Sequence, residues 1–385
     1  MKRNNPFFFL LFLLVCLVGC NKDPQPTPTD DPEEPENPNM VTDSTLLITT
    51  TYEKYILLTQ ASGQRWLFLL LPNEQAELCL WDLAAAQFVA NDEYKGDLTV
   101  PCSFSHEDVT YTVTRIVGSI YTPCNDLTSI TIPNTVRCLD VHAFSGCPAL
   151  SEVEFQSPSS LDSIMYEAFY ANRNLKTFDF PYSLKYIGQN AFMDSGLEEV
   201  TISSNVSIDE SAFSYCFDLQ SVTLPEGMDT IKPFAFAYCP TLSSVQIPQS
   251  VKVIDFCAFL DAPLVSITLP DSLVRIGINA FCRAAISSIE LPASLNTLGG
   301  FGACPNLTEV TIPSAVSYLE YGAFVNCSRL NKVTCLAPVP PRCAYDGDVF
   351  EESPLTVIYV PNESLEAYLS APVWSDYADI IQPIP

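Results

Sequence analysis

Histidine is almost missing from this chain: His106 and His142 are the two in 385 residues, far apart and without a regularly spaced cysteine or aspartate beside either. A zinc site of the usual spacing therefore has no ligand set, and a histidine-based triad has no base. A glycine-rich dinucleotide turn, a P-loop and a G-x-S-x-G elbow are also lacking, so the reading is a non-enzyme with no metal and no cofactor. Basic residues are scarce: 18 Lys and Arg stand against 45 Asp and Glu, a formal net charge of −27. Charge of that sign repels phosphate backbones, which excludes nucleic acid as a partner. Long apolar runs are missing downstream of the first twenty residues, so nothing there is long enough to span a bilayer.

What is present begins at the N-terminus. Lys2 and Arg3 precede an apolar run from Phe7 to Val18, too short to span a membrane but right for a secretory segment, so residues 1–19 read as a signal peptide. The run ends in Leu17-Val18-Gly19-Cys20, which resembles the bacterial lipobox; a chance cysteine in an ordinary signal peptide is the alternative. The resemblance implies a diacylated Cys20, an outer-membrane lipid anchor in a Gram-negative bacterium, and no other membrane contact. Residues 20–45 then carry the run DPQPTPTDDPEEPENPN, where proline blocks helix, acids repel and almost nothing apolar can be buried. This is a disordered tether. Acidic residues soon after the lipidated cysteine resemble the export pattern of Bacteroidetes surface lipoproteins, which implies display on the cell surface.

The rest of the chain repeats. Phenylalanine, preceded by alanine, recurs at Phe144, Phe169, Phe192, Phe213, Phe236, Phe259, Phe281 and Phe324, and Phe301 fills the same slot after Gly300. Successive spacings run from 20 to 25 residues, inside the leucine-rich-repeat range. Before each Ala-Phe lies a leucine, then alternating apolar residues and usually a proline: Leu127, Ile130, Ile132, Pro133; Leu242, Val245, Ile247, Pro248; Leu307, Val310, Ile312, Pro313. The alternation predicts a short strand with one buried face, which the proline ends. A second apolar pair, Val251 and Ile254 or Leu273 and Ile276, predicts another short strand, and Ala-Phe sits in the turn, the small residue allowing close approach while the ring fills the gap between coils. About ten such coils share one core that no single coil could make.

The unit L-x-x-V-x-I-P-x-S-V-x-x-I-G-x-x-A-F-x-x-C resembles the BspA-like class of leucine-rich repeats over residues 111–361. YTVTRIVGSIY at 111–121 resembles that family's first coil, and VIYVPNESLEAYLSAPVWSDYADII at 357–381 its closing coil and terminal helix. The resemblance implies a β-rich solenoid of short parallel strands with a short C-terminal capping helix in 362–385. Gly299-Gly300, Ser203 and Ser157-Pro158 depart from the pattern and mark irregular coils. Residues 46–110 carry no repeat but read as strands, expected as an N-terminal β cap; an independent small binding domain is the alternative.

Thirteen cysteines follow Cys20. Cys147, Cys216, Cys239, Cys304 and Cys327 each lie three residues after a ladder phenylalanine, so they read as small buried side chains under the turn, the alternative being disulfides or a soft metal between coils. Cys335 and Cys343, outside that column, are the more natural disulfide pair.

Residues between the buried strand positions must face solvent. One column reads Thr131, Glu154, Asp179, Thr201, Thr223, Gln246, Thr268, Glu290, Thr311 and Thr334, and a parallel one includes Glu152, Glu199 and Glu309. This is a flat field of hydroxyls with acidic ends and no aromatic platform, either a plain solvated face or an extended protein-binding face. The family resemblance implies adhesion, with host extracellular-matrix proteins as the partner class and the chain a monomer. An accessory glycan-binding role in nutrient uptake is the alternative; exposed tyrosine or tryptophan would favour it, and Trp66, Trp81 and Trp374 all lie off this face.

Overall fold

Alternation at Leu127, Ile130 and Ile132 buries all three, while Thr128 between them is exposed, so the strand Leu127–Ile132 has one wet and one dry side. The same pattern repeats down the chain in a computed structural model that describes residues 40–41, 45–49, 54–60, 62, 64–80, 94–119, 123–202, 205–344 and 349–385. All of these belong to one unit, Asn39–Pro385. The signal segment, Cys20, most of the tether and Trp81 lie outside the described residues.

The fold is a solenoid. First strands of successive coils pair in parallel: Gly96–Thr99, Leu127–Ile132 and Glu152–Phe155 form one sheet; Glu199–Thr201, Ser221–Thr223 and Ser244–Gln246 a second; Glu309–Ile312, Lys332–Cys335, Val357–Val360 and Ile381–Pro383 a third. The predicted second strands are two residues long, as at Val253–Ile254 and Arg275–Ile276, and they too pair in parallel from coil to coil. The Ile-Gly step that follows them has a steric reason. A Cβ on Gly188 would lie 2.8 Å from the Met165 carbonyl carbon, so only glycine lets the neighbouring coil come so close.

The turn carries a third ladder. The amide of each ladder phenylalanine donates to the carbonyl of the residue before the ring one coil on, usually alanine, as in Phe144 N to Ala168 O at 2.7 Å, Phe192 N to Ala212 O at 2.8 Å and Phe236 N to Ala258 O at 2.9 Å. The rings stack behind these bonds, from Phe144 on Phe169 at 5.4 Å to Phe301 on Phe324 at 5.9 Å. Phe350, preceded by Val349, continues the stack at 5.9 Å from Phe324 and was not legible as a ladder member. Residues two before and two after the ring take left-handed backbone angles, as at Asn190 (φ 58°) and Asp194 (φ 59°). Asparagine, aspartate and glycine suit those slots, but Phe234 (φ 56°) and Tyr215 (φ 60°) occupy them as well, held there by the turn's hydrogen bonds.

The column three residues after the ring has a polar function that packing alone does not describe. Several ladder phenylalanine carbonyls take a donor from the next coil: Cys216 Sγ to Phe192 O at 3.2 Å, Cys239 Sγ to Phe213 O at 3.3 Å, Cys327 Sγ to Phe301 O at 3.0 Å. In two coils without the cysteine, Asn172 Nδ2 serves Phe144 O at 2.9 Å and Ser353 Oγ serves Phe324 O at 2.7 Å, whereas Ala262 and Ala284 fill the slot with a small apolar side chain. All thirteen cysteines are thiols, including Cys335 and Cys343, so the expected bridge between those two is not formed. Cys335 Sγ instead accepts a hydrogen bond from the Tyr368 hydroxyl at 3.2 Å. Burial pushes the Cys216 thiol up to about 12.

At the C-terminus the helix Leu365–Ser370 lies over the last coil. Trp374 meets Phe350 edge-on at 5.9 Å and donates through Nε1 to Pro341 O at 2.9 Å, ending the ring stack on a satisfied aromatic. At the other end Thr45–Thr49, Lys54–Thr59, Arg65–Leu71 and Gln75–Cys79 form an antiparallel meander, and Gln75–Cys79 pairs in parallel with Val109–Val117. That last strand also pairs with Cys138–Leu139, so it runs unbroken through the expected boundary at 110. Ile56, Trp66, Phe68 and Phe104 belong to the same buried cluster as the ring stack. Met40–Val41 pairs with Ser103–Phe104, so regular structure begins inside the stretch expected as tether, at the first apolar residues after the proline run. No helix of the described residues is long and apolar enough to cross a membrane.

Candidate binding face

The first-strand sheets carry the predicted columns. Register aligns Ser129 with Glu152 and Thr131 with Glu154; Glu199 with Ser221 and Ser244; Thr201 with Thr223 and Gln246; Glu309 with Lys332; and Thr311 with Thr334. All thirteen residues singled out on this face are exposed or half-buried. Three of them, Asp179, Thr268 and Glu290, lie on segments that form no strand, so the face is interrupted rather than continuous.

The acidic ends differ from each other. Glu309 is neutralised by an ion pair with Lys332 in the next coil. At the other end Glu152 and Asp179 have no cation beside them among the described residues, and Glu154 accepts only a long 3.5 Å hydrogen bond from Thr131 Oγ1. One coil earlier, Asp97 accepts from Thr128 Oγ1 at 2.8 Å and Ser129 Oγ at 2.9 Å, which holds its carboxyl below the usual range.

The expected flatness fails at this end. Strand Glu152–Phe155 pairs with Leu127–Ile132 on one side, and on the other side residues 177–180 form no strand against it. A groove of about 660 Å³ opens there, lined by Glu152, Glu154 and Asp179 together with Phe155, Phe180 and Tyr182. Tyr182 is 95% exposed, which corrects the expectation of a face without aromatics. Alternate strand positions do not reach it because it lies past the expected strand positions of its coil, in the loop after Pro181. Two signals pointed there. The coil from Phe144 to Phe169 spans 25 residues, the longest of the recognised spacings, and it contains the Ser157-Pro158 departure, whose residues form one wall of the groove. Phe155, Phe178 and Phe180 also stand where other coils carry mostly smaller aliphatic residues; Phe178 contacts Phe155 at 5.6 Å and Phe180 at 4.8 Å.

Elsewhere, Trp66 and Trp374 are buried, and Trp81 lies outside the described residues. Aromatics also gather on the turn edge, where the half-buried Tyr215 and Tyr238 stack at 4.5 Å beside the half-exposed Phe217. Among the described residues no group of three His, Cys, Asp or Glu has a metal-holding arrangement.

Comparison with known proteins agrees with this architecture. No curated protein matches the chain significantly. Among solved structures, a leucine-rich repeat protein from Bacteroides ovatus is 25% identical, with a TM-score of 0.63 over 83% of this chain and 76% of that one. A leucine rich cell surface protein from Faecalibacterium prausnitzii is 20% identical, with a TM-score of 0.45, covering 89% of this chain and 95% of that one. A leucine-rich repeat protein from Treponema pallidum is 24% identical, with a TM-score of 0.41 over 48% of this chain and 82% of that one. The family model for the BspA type leucine rich repeat region, with six copies, matches residues 100–220, 206–331 and 258–368. Leucine-rich-repeat solenoids are interaction scaffolds, stacked so that one side is left to partners. With its ring stack, its paired short strands and that match over most of its length, the chain belongs to the BspA type leucine rich repeat family.

Proposed function

We propose that this protein is a cell-surface lipoprotein, anchored through Cys20, whose solenoid binds a protein partner in adhesion, with host extracellular-matrix proteins as the partner class. The observation that carries the reading is the register of the first strands, which collects Glu152, Glu154, Thr201, Thr223, Gln246, Thr311 and Thr334 on one solvent-facing side while apolar partners of the same strands fill the core. Such a face offers many hydroxyl and carboxylate groups along a rigid line, which suits extended protein contact better than chemistry on a small substrate. The test has two arms. Protease shaving of intact cells should release the chain, and retention would sink the surface assignment. The full chain, purified in detergent, should bind matrix proteins on an array, and failure to bind any protein would sink the binding assignment.

A second reading, glycan capture, is favoured by the partly accessible Tyr215–Tyr238 pair and the half-exposed Phe217 on the turn edge, since sugars stack on accessible aromatic rings. Binding confined to a glycan array, and lost in Tyr238→Ala, would install it in place of the first.

A further inference from the structure

Resting on the protein-binding reading, we propose that the groove beside Glu152–Phe155 is the docking site for an extended, lysine- or arginine-bearing segment of the partner. Three independent features of the groove converge on that occupant. Its wall is an open strand edge: Glu152–Phe155 pairs on one side only, and residues 175–181 of the next coil offer it no main-chain hydrogen bond. Unpaired amides and carbonyls along such an edge accept an added strand, and side chains of that strand then alternate between the groove and solvent.

The charge selects what the side chains must be. Glu152, Glu154 and Asp179 line the groove, no lysine, arginine or histidine is among its lining residues, and among the described residues neither Glu152 nor Asp179 forms an ion pair. Tyr182 supplies a third requirement. Its ring is 95% exposed at the groove, beside the half-buried rings of Phe155 and Phe180, a placement that costs apolar hydration in the free protein and gives an aromatic face to a cation or to its aliphatic stem. An acidic segment would meet repulsion at all three carboxylates, and a purely apolar one would bury them unpaired.

The probe is a fluorescein-labelled peptide of alternating threonine and lysine or arginine, measured by anisotropy against the full chain at physiological salt. Because the chain is strongly acidic, a matched control separates local recognition from general attraction. The variant Glu152→Gln/Glu154→Gln/Asp179→Asn should weaken binding at least about tenfold, and Glu363→Gln/Glu366→Gln/Asp376→Asn, with the same charge change on the C-terminal cap, less than about twofold. Tyr182→Ala, which leaves the charge unchanged, should weaken it about threefold to fivefold. Thermal melts of all variants report that the fold is intact. Equal weakening by the two triple variants would overturn the proposal, as would full binding by Tyr182→Ala together with the groove triple. Undiminished matrix-protein binding by the groove triple would overturn the groove and leave the broader reading standing, whereas a parent chain that binds no protein at all would remove that reading first.

Discussion

Replacing one ring of the phenylalanine stack tests whether the coils hold one another through it. Phe236 is buried between Phe213, at 5.4 Å and 2° from parallel, and Phe259, at 5.5 Å and 10°. Phe236→Ala removes a ring from two neighbours and leaves a cavity, a loss of about 3–5 kcal/mol. Two such losses approach the whole stability of a typical domain, about 5–15 kcal/mol, so leucine is the better probe at about 1–2 kcal/mol per site. In Phe213→Leu/Phe236→Leu the shared stack is lost once, while the sum of the single variants counts it twice. The double should therefore be less destabilised than the sum by about 0.5–1.5 kcal/mol, the worth of a stacked pair. Phe169→Leu/Phe281→Leu, separated by four intervening rings, should be additive within about 0.5 kcal/mol. Urea unfolding followed by far-UV circular dichroism gives both cycles, and unchanged m-values across the set show that the array still unfolds as one unit. Coupling no larger for the adjacent pair than for the separated one would refute the role given to the stack.

Three further outcomes follow from close contacts. Gly196→Ala would set a Cβ 2.0 Å from the Arg173 carbonyl oxygen, so the coils must part; the melting temperature should fall by the equivalent of about 1–3 kcal/mol, and an unchanged value would show that the contact yields freely. Cys239→Ala should cost about 1 kcal/mol by leaving Phe213 O without its donor, while Cys239→Ser should recover most of it in chemical denaturation; equal losses would mean that the thiol only packs. Burial depresses the His142 imidazole below its usual 6.5, against the opposing pull of Glu167, whose Oε2 lies 3.4 Å from Nδ1. The folded state thus binds fewer protons than the unfolded one just below pH 6.5, stability falls as pH drops through that window, and His142→Gln should flatten the slope. Asp97 acts at lower pH: its carboxyl is held below 3.8, so its contribution is present above that value and lost as pH falls through the depressed one, and Thr128→Ala/Ser129→Ala should shrink that loss in acid titration.

The sequence made the solenoid legible because every coil solves one packing problem with the same residues, so Ala-Phe reads as a turn from its spacing alone. It hid what depends on contacts between coils. The column three after the ring looked like a cysteine preference, yet Asn172 and Ser353 serve the same kind of carbonyl and Ala262 and Ala284 only pack, so what the slot demands is a small side chain, with a donor in most coils, and not sulfur. Phe350 escaped because Val349 stands where alanine was expected and the spacing lengthens, although its ring still stacks. Tyr182 escaped for a different reason: strand periodicity says which residues face out within a strand and nothing about the loop that follows. The Ser157-Pro158 departure marked the right coil without saying that it opens a groove.

The rule and its exceptions divide the labour between folding and recognition. Three ladders, two of strands and one of turns, satisfy the backbone of every regular coil, and the side chains that complete them point inward or across the turn. Outward residues of the first strands are free of that duty, and substitution of such surface positions shifts stability by less than about 0.5 kcal/mol. A regular coil can therefore vary its face without endangering the stack. An irregular coil is another matter, because a missing strand pair forfeits hydrogen bonds and exposes an edge. The gap at 152–183 carries that cost while keeping Phe178 packed against Phe169 and Phe192, at 5.1 and 4.9 Å, so the core stays continuous beneath an open surface. A defect that is sealed below and open above is where the solenoid trades backbone pairing within itself for backbone pairing with something else.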